Sequence, residues 1–470
     1  MGNKKSIAFI LVLIFISSTI IPAITAIKET QPQHIDTKIR KNQYDLLVIT
    51  IDDFEQQIKP LKKHKENYGT KTKIVTLSKI YDEIYWQGRD KPEKIKYFIK
   101  KSYDNWDIKY VMLIGDNNKV PVRYVYNDEP WQEYPEPCYI SELYYADIID
   151  VNGSFSSWDS NDNGIYGEWK GNKAQDKNID LRPDVYVGRL ACRNKKEVKI
   201  MVDKITNYET KTYNQKWFKR FVVVAGDTYP EGEYPFNTSG YEGEENTKKA
   251  IENMTGFTPI KLWISNGRLN GPLDVIKAIN KGADFMFFDG HASPTVWGTH
   301  KYNSHDFTTC LHIFHMPFLL NRYRLPVVVA GACHTAQFNV TPLNLFENFN
   351  KALSHGTWSV ECWGWKLASK KNGGSIATIA NTGLGMTKED KDSRKGAGDY
   401  MDLQFFYEYG QNNTDILGEV WGKSIRRYLQ AFPINWSTPS AWDYAYDAKT
   451  VQQWTLLGDP SLKIGGYPNV

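Results

Sequence analysis

From Tyr44 onward, short apolar runs alternate with longer stretches that carry charge on one face. Tyr44 to Thr50, Lys73 to Leu77 and Tyr110 to Gly115 read as strands, and Phe54 to Asn67 and Pro92 to Tyr103 read as helices. A β-α-β-α-β rhythm of this kind predicts a parallel sheet with helices packed on its faces. Asn152 to Lys177 is polar and rich in Gly and Asp, hence a loop. Asp184 to Arg189 returns to a strand, and Lys195 to Thr210 has helical spacing. The rhythm restarts at Phe218. Phe221 to Gly226 and Ile260 to Ile264 read as strands, and Glu244 to Met254 and Pro272 to Lys281 as helices. Two further apolar runs then follow, Ala283 to Phe288 and Leu325 to Ala330, before a strand at Ser375 to Ala380 and a helix at Leu417 to Ala431. The fold class expected is α/β, three-layered with mostly parallel sheets, in two consecutive subdomains over residues 43–213 and 214–468.

The first residues break this pattern. Lys4 and Lys5 precede an apolar stretch from Ile7 to Ile21, followed by small residues ending at Ala26. This is the layout of a secretory signal over residues 1–26, with a short extension over 27–42. The stretch is shorter than a usual membrane span, so cleavage and secretion are expected, and a membrane is a partner only if the segment is retained. A net charge of +4 spread over 470 residues gives no electrostatic case for nucleic-acid binding. Five cysteines at wide, irregular spacing are neither a disulfide framework nor a zinc site, and an odd number leaves at least one thiol unpaired within the chain.

The chemistry concentrates where the two late apolar runs end. One leads into Asp289-Gly290-His291-Ala292-Ser293 and the other into Gly331-Ala332-Cys333-His334. If these strands are parallel neighbours, His291 and Cys333 emerge at one sheet edge, where open α/β folds hold their ligands. A thiol beside an imidazole is a nucleophile with its proton partner. The small flanking residues would let the N–H groups of Ala292 and Cys333 face one carbonyl oxygen as an oxyanion hole.

The stretch Gly290-His291-Ala292-Ser293-Pro294-Thr295-Val296-Trp297-Gly298-Thr299 resembles the histidine motif of the gingipain-type cysteine peptidases, which belong with the caspase-fold peptidases. Ala332-Cys333 followed by Phe338 is similar to their nucleophile motif. Tyr110 to Pro121, Val185 to Arg189 and Leu456 to Leu462 resemble further landmarks in the same order. The resemblance implies a caspase-like fold and a secreted endopeptidase acting on proteins or peptides. In it Cys333 attacks the scissile carbonyl, His291 handles the proton and Asp227 is the acid that supports the imidazole. It also implies a pocket acid near Glu244, selecting Arg or Lys before the cut, and calcium near Asp116 and Asp147. Catalysis in this family needs no cofactor.

Calcium has a second motif of its own. Asp159-Ser160-Asn161-Asp162-Asn163-Gly164 matches the first half of a Ca²⁺ loop, with Asp159, Asn161 and Asn163 as oxygen donors, although Lys170 stands where the bidentate Glu belongs. Two other readings stay open. Six His lie between 291 and 334, which suits a metal-dependent hydrolase, but no HExxH spacing is present. An exported caspase-like fold could also serve as a non-catalytic binding protein.

Overall fold

Two sheets divide the sequence between them. The computed structural model describes residues 43–128, 136–230, 240–388, 396–441 and 443–468. The secretory-signal segment and the extension that follows it lie outside the described residues. Among the described residues no helix is long and apolar enough to cross a membrane.

The first sheet is built from β1 (Leu46–Thr50), β2 (Thr72–Thr76), β3 (Tyr110–Ile114) and β4 (Tyr186–Leu190), all parallel in the order β2-β1-β3-β4. The second holds β5 (Arg220–Ala225), β6 (Thr258–Trp263), β7 (Phe285–Asp289), β8 (Val327–Gly331), β9 (Ala377–Asn381) and β10 (Trp454–Leu457), in the order β6-β5-β7-β8-β9-β10. Its strands are parallel except β10, which runs antiparallel to β9. The central strands are apolar throughout because helices cover both faces, leaving no polar side to alternate with. The fold is the α/β class with mostly parallel sheets that the alternating pattern predicts. The described residues fall within one compact unit. The edge strands of the two sheets meet closely: a side chain at Gly188 in β4 would strike the Gly458 carbonyl just beyond β10, at 2.5 Å.

The main helices are α1 (Glu55–Asn67), α2 (Lys91–Trp106), α3 (Lys195–Lys211), α4 (Glu242–Asn253), α5 (Pro272–Asn280), α6 (Ala397–Gly410), α7 (Leu417–Ala431) and α8 (Asp443–Gln453). Asp90 and Asn194 accept from the backbone N–H of Glu93 and Glu197 to cap α2 and α3, and Glu197 returns the contact to the N–H of Arg193. Helix α6 was not anticipated from the sequence. Met401, Asp402, Leu403, Gln404, Phe405 and Phe406 are all buried, so it shows no amphipathic stripe. A three-stranded antiparallel ribbon, His291–Ala292, Val296–His300 and Phe307–His312, follows β7 and projects from the sheet edge.

Two family landmarks turn out to be buried ion pairs. Arg189 of the Val185–Arg189 stretch donates to both carboxylate oxygens of Glu142, at 2.8 and 3.0 Å, and to the carbonyls of Gly115 and Val120. Asp459 of the Leu456–Leu462 stretch lies 2.7 Å from Lys65 Nζ, which also holds Glu209 at 2.8 Å. These pairs tie separate parts of the chain together.

Candidate active site

Strands β7 and β8 are hydrogen-bonded neighbours in parallel register, with Asp289 opposite Gly331. Their C-terminal ends release two loops at the same edge, and the N–H of Gly290 donates to the carbonyl of Gly331 at 3.2 Å. His291 and Cys333 therefore line one cavity of about 50 Å³. The loop that carries Cys333 is fixed from β9. Asn381 Nδ2 donates to the Ala332 carbonyl at 3.1 Å, and the N–H of His334 donates to the carbonyl of Gly383 at 2.9 Å. His334 itself takes a left-handed conformation, φ 56°, which turns the chain sharply after Cys333. Cys333 is partly accessible, but its packing pushes the thiol up to about 11, because burial disfavours the thiolate.

The imidazole of His291 is anchored by a main-chain group. Its Nε2 lies 2.6 Å from the carbonyl oxygen of Thr228, just past the end of β5. A carbonyl only accepts, so Nε2 carries the proton and the neutral ring has its lone pair on Nδ1. The ring of Tyr229 stands edge-on to His291 at 5.7 Å, and His300 of the ribbon packs against it at 5.1 Å. A backbone carbonyl has no side-chain signature, so the sequence alone could not reveal Thr228.

Asp227 is buried one residue before that carbonyl. Its carboxylate accepts from the N–H of Asn303 at 2.6 Å and lies beside Glu242, and burial pushes it up to about 6. Its main chain is bound to His300 in both directions, at 3.3 and 3.1 Å. Ala292 is in extended conformation, paired with Trp297 of the ribbon, so this position makes no demand for glycine.

Acids do surround the cavity, but Glu244 is not among its lining residues. The Glu244 carboxylate turns to Ser265, accepting from its N–H at 2.9 Å and from its hydroxyl. The acids that line the cavity with Cys333 and His291 are Asp289, Asp399 and Asp402. Asn246 donates to Asp289 and Thr387 donates to Asp399. Neither oxygen of Asp402 has a hydrogen-bond partner among the described residues. Burial first, and mutual repulsion second, hold Asp289 and Asp402 well above the usual carboxylate range. Asp402 presses close to the strand end as well: a Cβ on Gly331 would collide with its Oδ2. Asp399 and Asp402 belong to α6, so the unrecognised helix hid them.

The calcium donors do not converge. Both oxygens of Asp159 are held within its own loop, by the N–H groups of Asn163 and Gly164 at 3.0 Å. Arg89 supplies the positive charge, reaching Asp159 at 2.7 Å and Asp162 at 2.6 Å. Asn161 accepts from the N–H of Asn163, whose side chain in turn donates to Glu168. Asp116 pairs with Lys119 at 3.6 Å, and Asp147 accepts from Trp158 Nε1 at 2.8 Å. Among the described residues no three His, Cys, Asp or Glu side chains form a metal cluster. The Asp159 loop does not fit a Ca²⁺ ion, because the Arg89 guanidinium already neutralises it. All five cysteines are free thiols, and of these Cys333 lines the cavity.

The fold and edge site define an α/β protein with a thiol and an imidazole on adjacent parallel strands. Peptidase family C25 matches residues 39–465, and the chain belongs to that family. Gingipain R2 of Porphyromonas gingivalis is 24% identical over 89% of this chain and 46% of its own length, and gingipain R1 of the same species is 24% identical over 89% of this chain and 34% of its own. The chain thus spans less than half the length of these curated relatives. Among solved structures, the Arg-specific cysteine proteinase gingipain R superposes with a TM-score of 0.61 at 19% identity, covering 90% of this chain and 79% of that one. That likeness establishes the caspase-like fold.

Proposed function

We propose that this chain is a secreted cysteine endopeptidase in which Cys333 is the nucleophile and His291 its proton partner, cutting after a basic residue. The placement of both on adjacent parallel strand ends, in one cavity, carries the reading. The thiol is protonated at rest. As Sγ attacks the scissile carbonyl, its proton passes to His291, and the imidazolium then delivers it to the leaving amine. The Thr228 carbonyl accepts from Nε2–H throughout, holding the ring's orientation and favouring its charged form. The N–H groups of Ala292 and Cys333 are assigned to the carbonyl oxygen as negative charge develops on it. The resulting thioester is hydrolysed by water, and the thiol is restored.

Support for a basic P1 residue comes from Asp402, assisted by Asp289 and Asp399. An unpartnered buried carboxylate is costly unless a cation completes it. Residues 1–26 support export.

The test compares the unmodified chain with Cys333→Ala on fluorogenic peptides bearing Arg, Lys, Asn or Asp at P1. The expected outcome is turnover after Arg or Lys, falling by more than about 10³-fold in Cys333→Ala. Equal turnover by both proteins overturns the mechanism, and would return the metal-hydrolase reading. Cleavage confined to Asn or Asp overturns the pocket.

A further inference from the structure

The loop that leaves Cys333 does not return directly to the sheet. It first builds two short helices, Asn344–Glu347 and Phe349–His355, before Trp363–Ser369 leads into β9. Polar caps and turns hold this pair: Asn348 accepts from the N–H of Lys351, Asn344 Nδ2 donates to the Thr357 carbonyl, and Gly356 closes the second helix in a left-handed turn. Within the second helix Ala352 is the buried residue. The large apolar side chains face water instead. Phe346 is 88% exposed, and Leu343, Phe349 and Leu353 are each more than half exposed. Scattered exposed apolar residues are ordinary, but four large ones on one eleven-residue stretch are not.

The position of this ledge matters. Gly356 packs against Ser293 and Thr295, so close that an added Cβ would lie 2.9 Å from both hydroxyls. Ser293 and Thr295 form the turn of the ribbon that begins with His291. Burial disfavours protonation of His334, the residue after Cys333, and His355, which directly precedes Gly356, adds a smaller push in the same direction. The second helix of the ledge therefore ends against the turn that follows His291.

We propose that this ledge is an extended substrate-binding surface for polypeptide carrying apolar side chains a few residues from the scissile bond, which directs the enzyme to unfolded protein. The occupant follows from this adjacency: a chain that passes Cys333 and His291 and continues beyond the Ser293–Thr295 turn runs onto the ledge. The inference rests on the peptidase reading, so binding and turnover are tested separately. A Phe346→Ser/Phe349→Ser variant, with the unmodified chain, is assayed on a short P1-Arg peptide and on the same peptide extended by Leu and Phe on either side. Affinity of the extended peptide for Cys333→Ala, with and without the two serines, is measured by fluorescence anisotropy. The expected result is a roughly tenfold loss of affinity and rise in KM for the extended peptide, with the short peptide unaffected. Unchanged affinity for the extended peptide overturns the ledge. So does a shift from dimer to monomer on introducing the serines with unchanged peptide kinetics, which assigns the surface to a second copy. Absent turnover alongside ledge-dependent binding fails the peptidase reading and leaves the ledge standing.

Discussion

Near the end of β4, Arg189 is fully buried and every arm of its guanidinium meets an acceptor: both oxygens of Glu142 and the carbonyls of Gly115, Val120 and Pro121. Beside the end of β8, Asp402 is buried almost as deeply and meets none among the described residues. Both positions lie at the C-terminal edge of a parallel sheet, where α/β folds place ligands. In the first sheet that edge is filled from within the chain. In the second it is left with acids facing a cavity, beside a thiol and an imidazole. The difference shows how one architecture, used twice in a chain, serves structure in one half and is left open for chemistry in the other.

The comparison breaks most visibly in stability. Glu142→Ala leaves the Arg189 guanidinium buried without its carboxylate and is expected to cost about 3–5 kcal/mol. The midpoint of urea unfolding reads this directly. Activity per folded molecule on a P1-Arg peptide should be unchanged, because Glu142 does not line the cavity. A loss below about 1 kcal/mol would mean that water or another group relieves Arg189, and that the first sheet's edge is less closed than the hydrogen bonds suggest.

Asp402→Asn is the counterpart, and its two readouts should diverge. Removing an unpartnered buried acid is expected to stabilise the chain by about 1 kcal/mol. The same change should lower kcat/KM for a P1-Arg peptide by roughly 10²-fold, the scale expected when one partner of a buried charge pair is lost. Stabilisation without loss of turnover assigns Asp402 to no substrate and moves the pocket to Asp289 and Asp399. Destabilisation would show that Asp402 has a structural partner and belongs with Arg189, not opposite to it.

Most of the fold could be read from the sequence because its strands are near-continuous apolar runs between amphipathic helices. Phe285–Asp289 and Val327–Gly331 illustrate this: two apolar runs, each ending in a Gly-containing segment, predict a shared edge. What escaped was whatever lacked a periodic or side-chain signal. Helix α6 is buried around its circumference, so Asp399 and Asp402 came with no pattern to announce them. The anchor of His291 is a backbone carbonyl, which every residue possesses. The Asp159 loop looked like a calcium site because its neutralising charge, Arg89, lies 70 residues earlier in the chain. Glu244 was placed by a resemblance in sequence; it lies on α4 and faces Ser265, whereas the acids that face the cavity come from the end of β7 and from α6.

The smallest expected effect on turnover concerns Asp227, which sits between the two conditions. It is buried and accepts from Asn303, as a structural acid would, yet it neighbours Glu242 and the carbonyl that holds His291. Burial raises it from an ordinary 3.8 to about 6, so the folded chain binds its proton more tightly than the unfolded chain does. Between those two values the folded state carries more protons, and stability from this group therefore falls as pH rises from about 4 to about 6, then levels off. Asp227→Asn should remove that slope and raise stability near pH 7 by roughly 1–2 kcal/mol. If Asp227 only positions the Thr228 carbonyl through the main chain, kcat/KM at pH 8 stays within about tenfold of the unmodified chain, with KM unchanged. A loss of 10³-fold or more in kcat, with the unfolding midpoint raised as expected, would instead make the carboxylate a direct electrostatic partner of the imidazolium. The pH dependence of stability and the kinetic loss together decide on which side of the comparison this residue belongs.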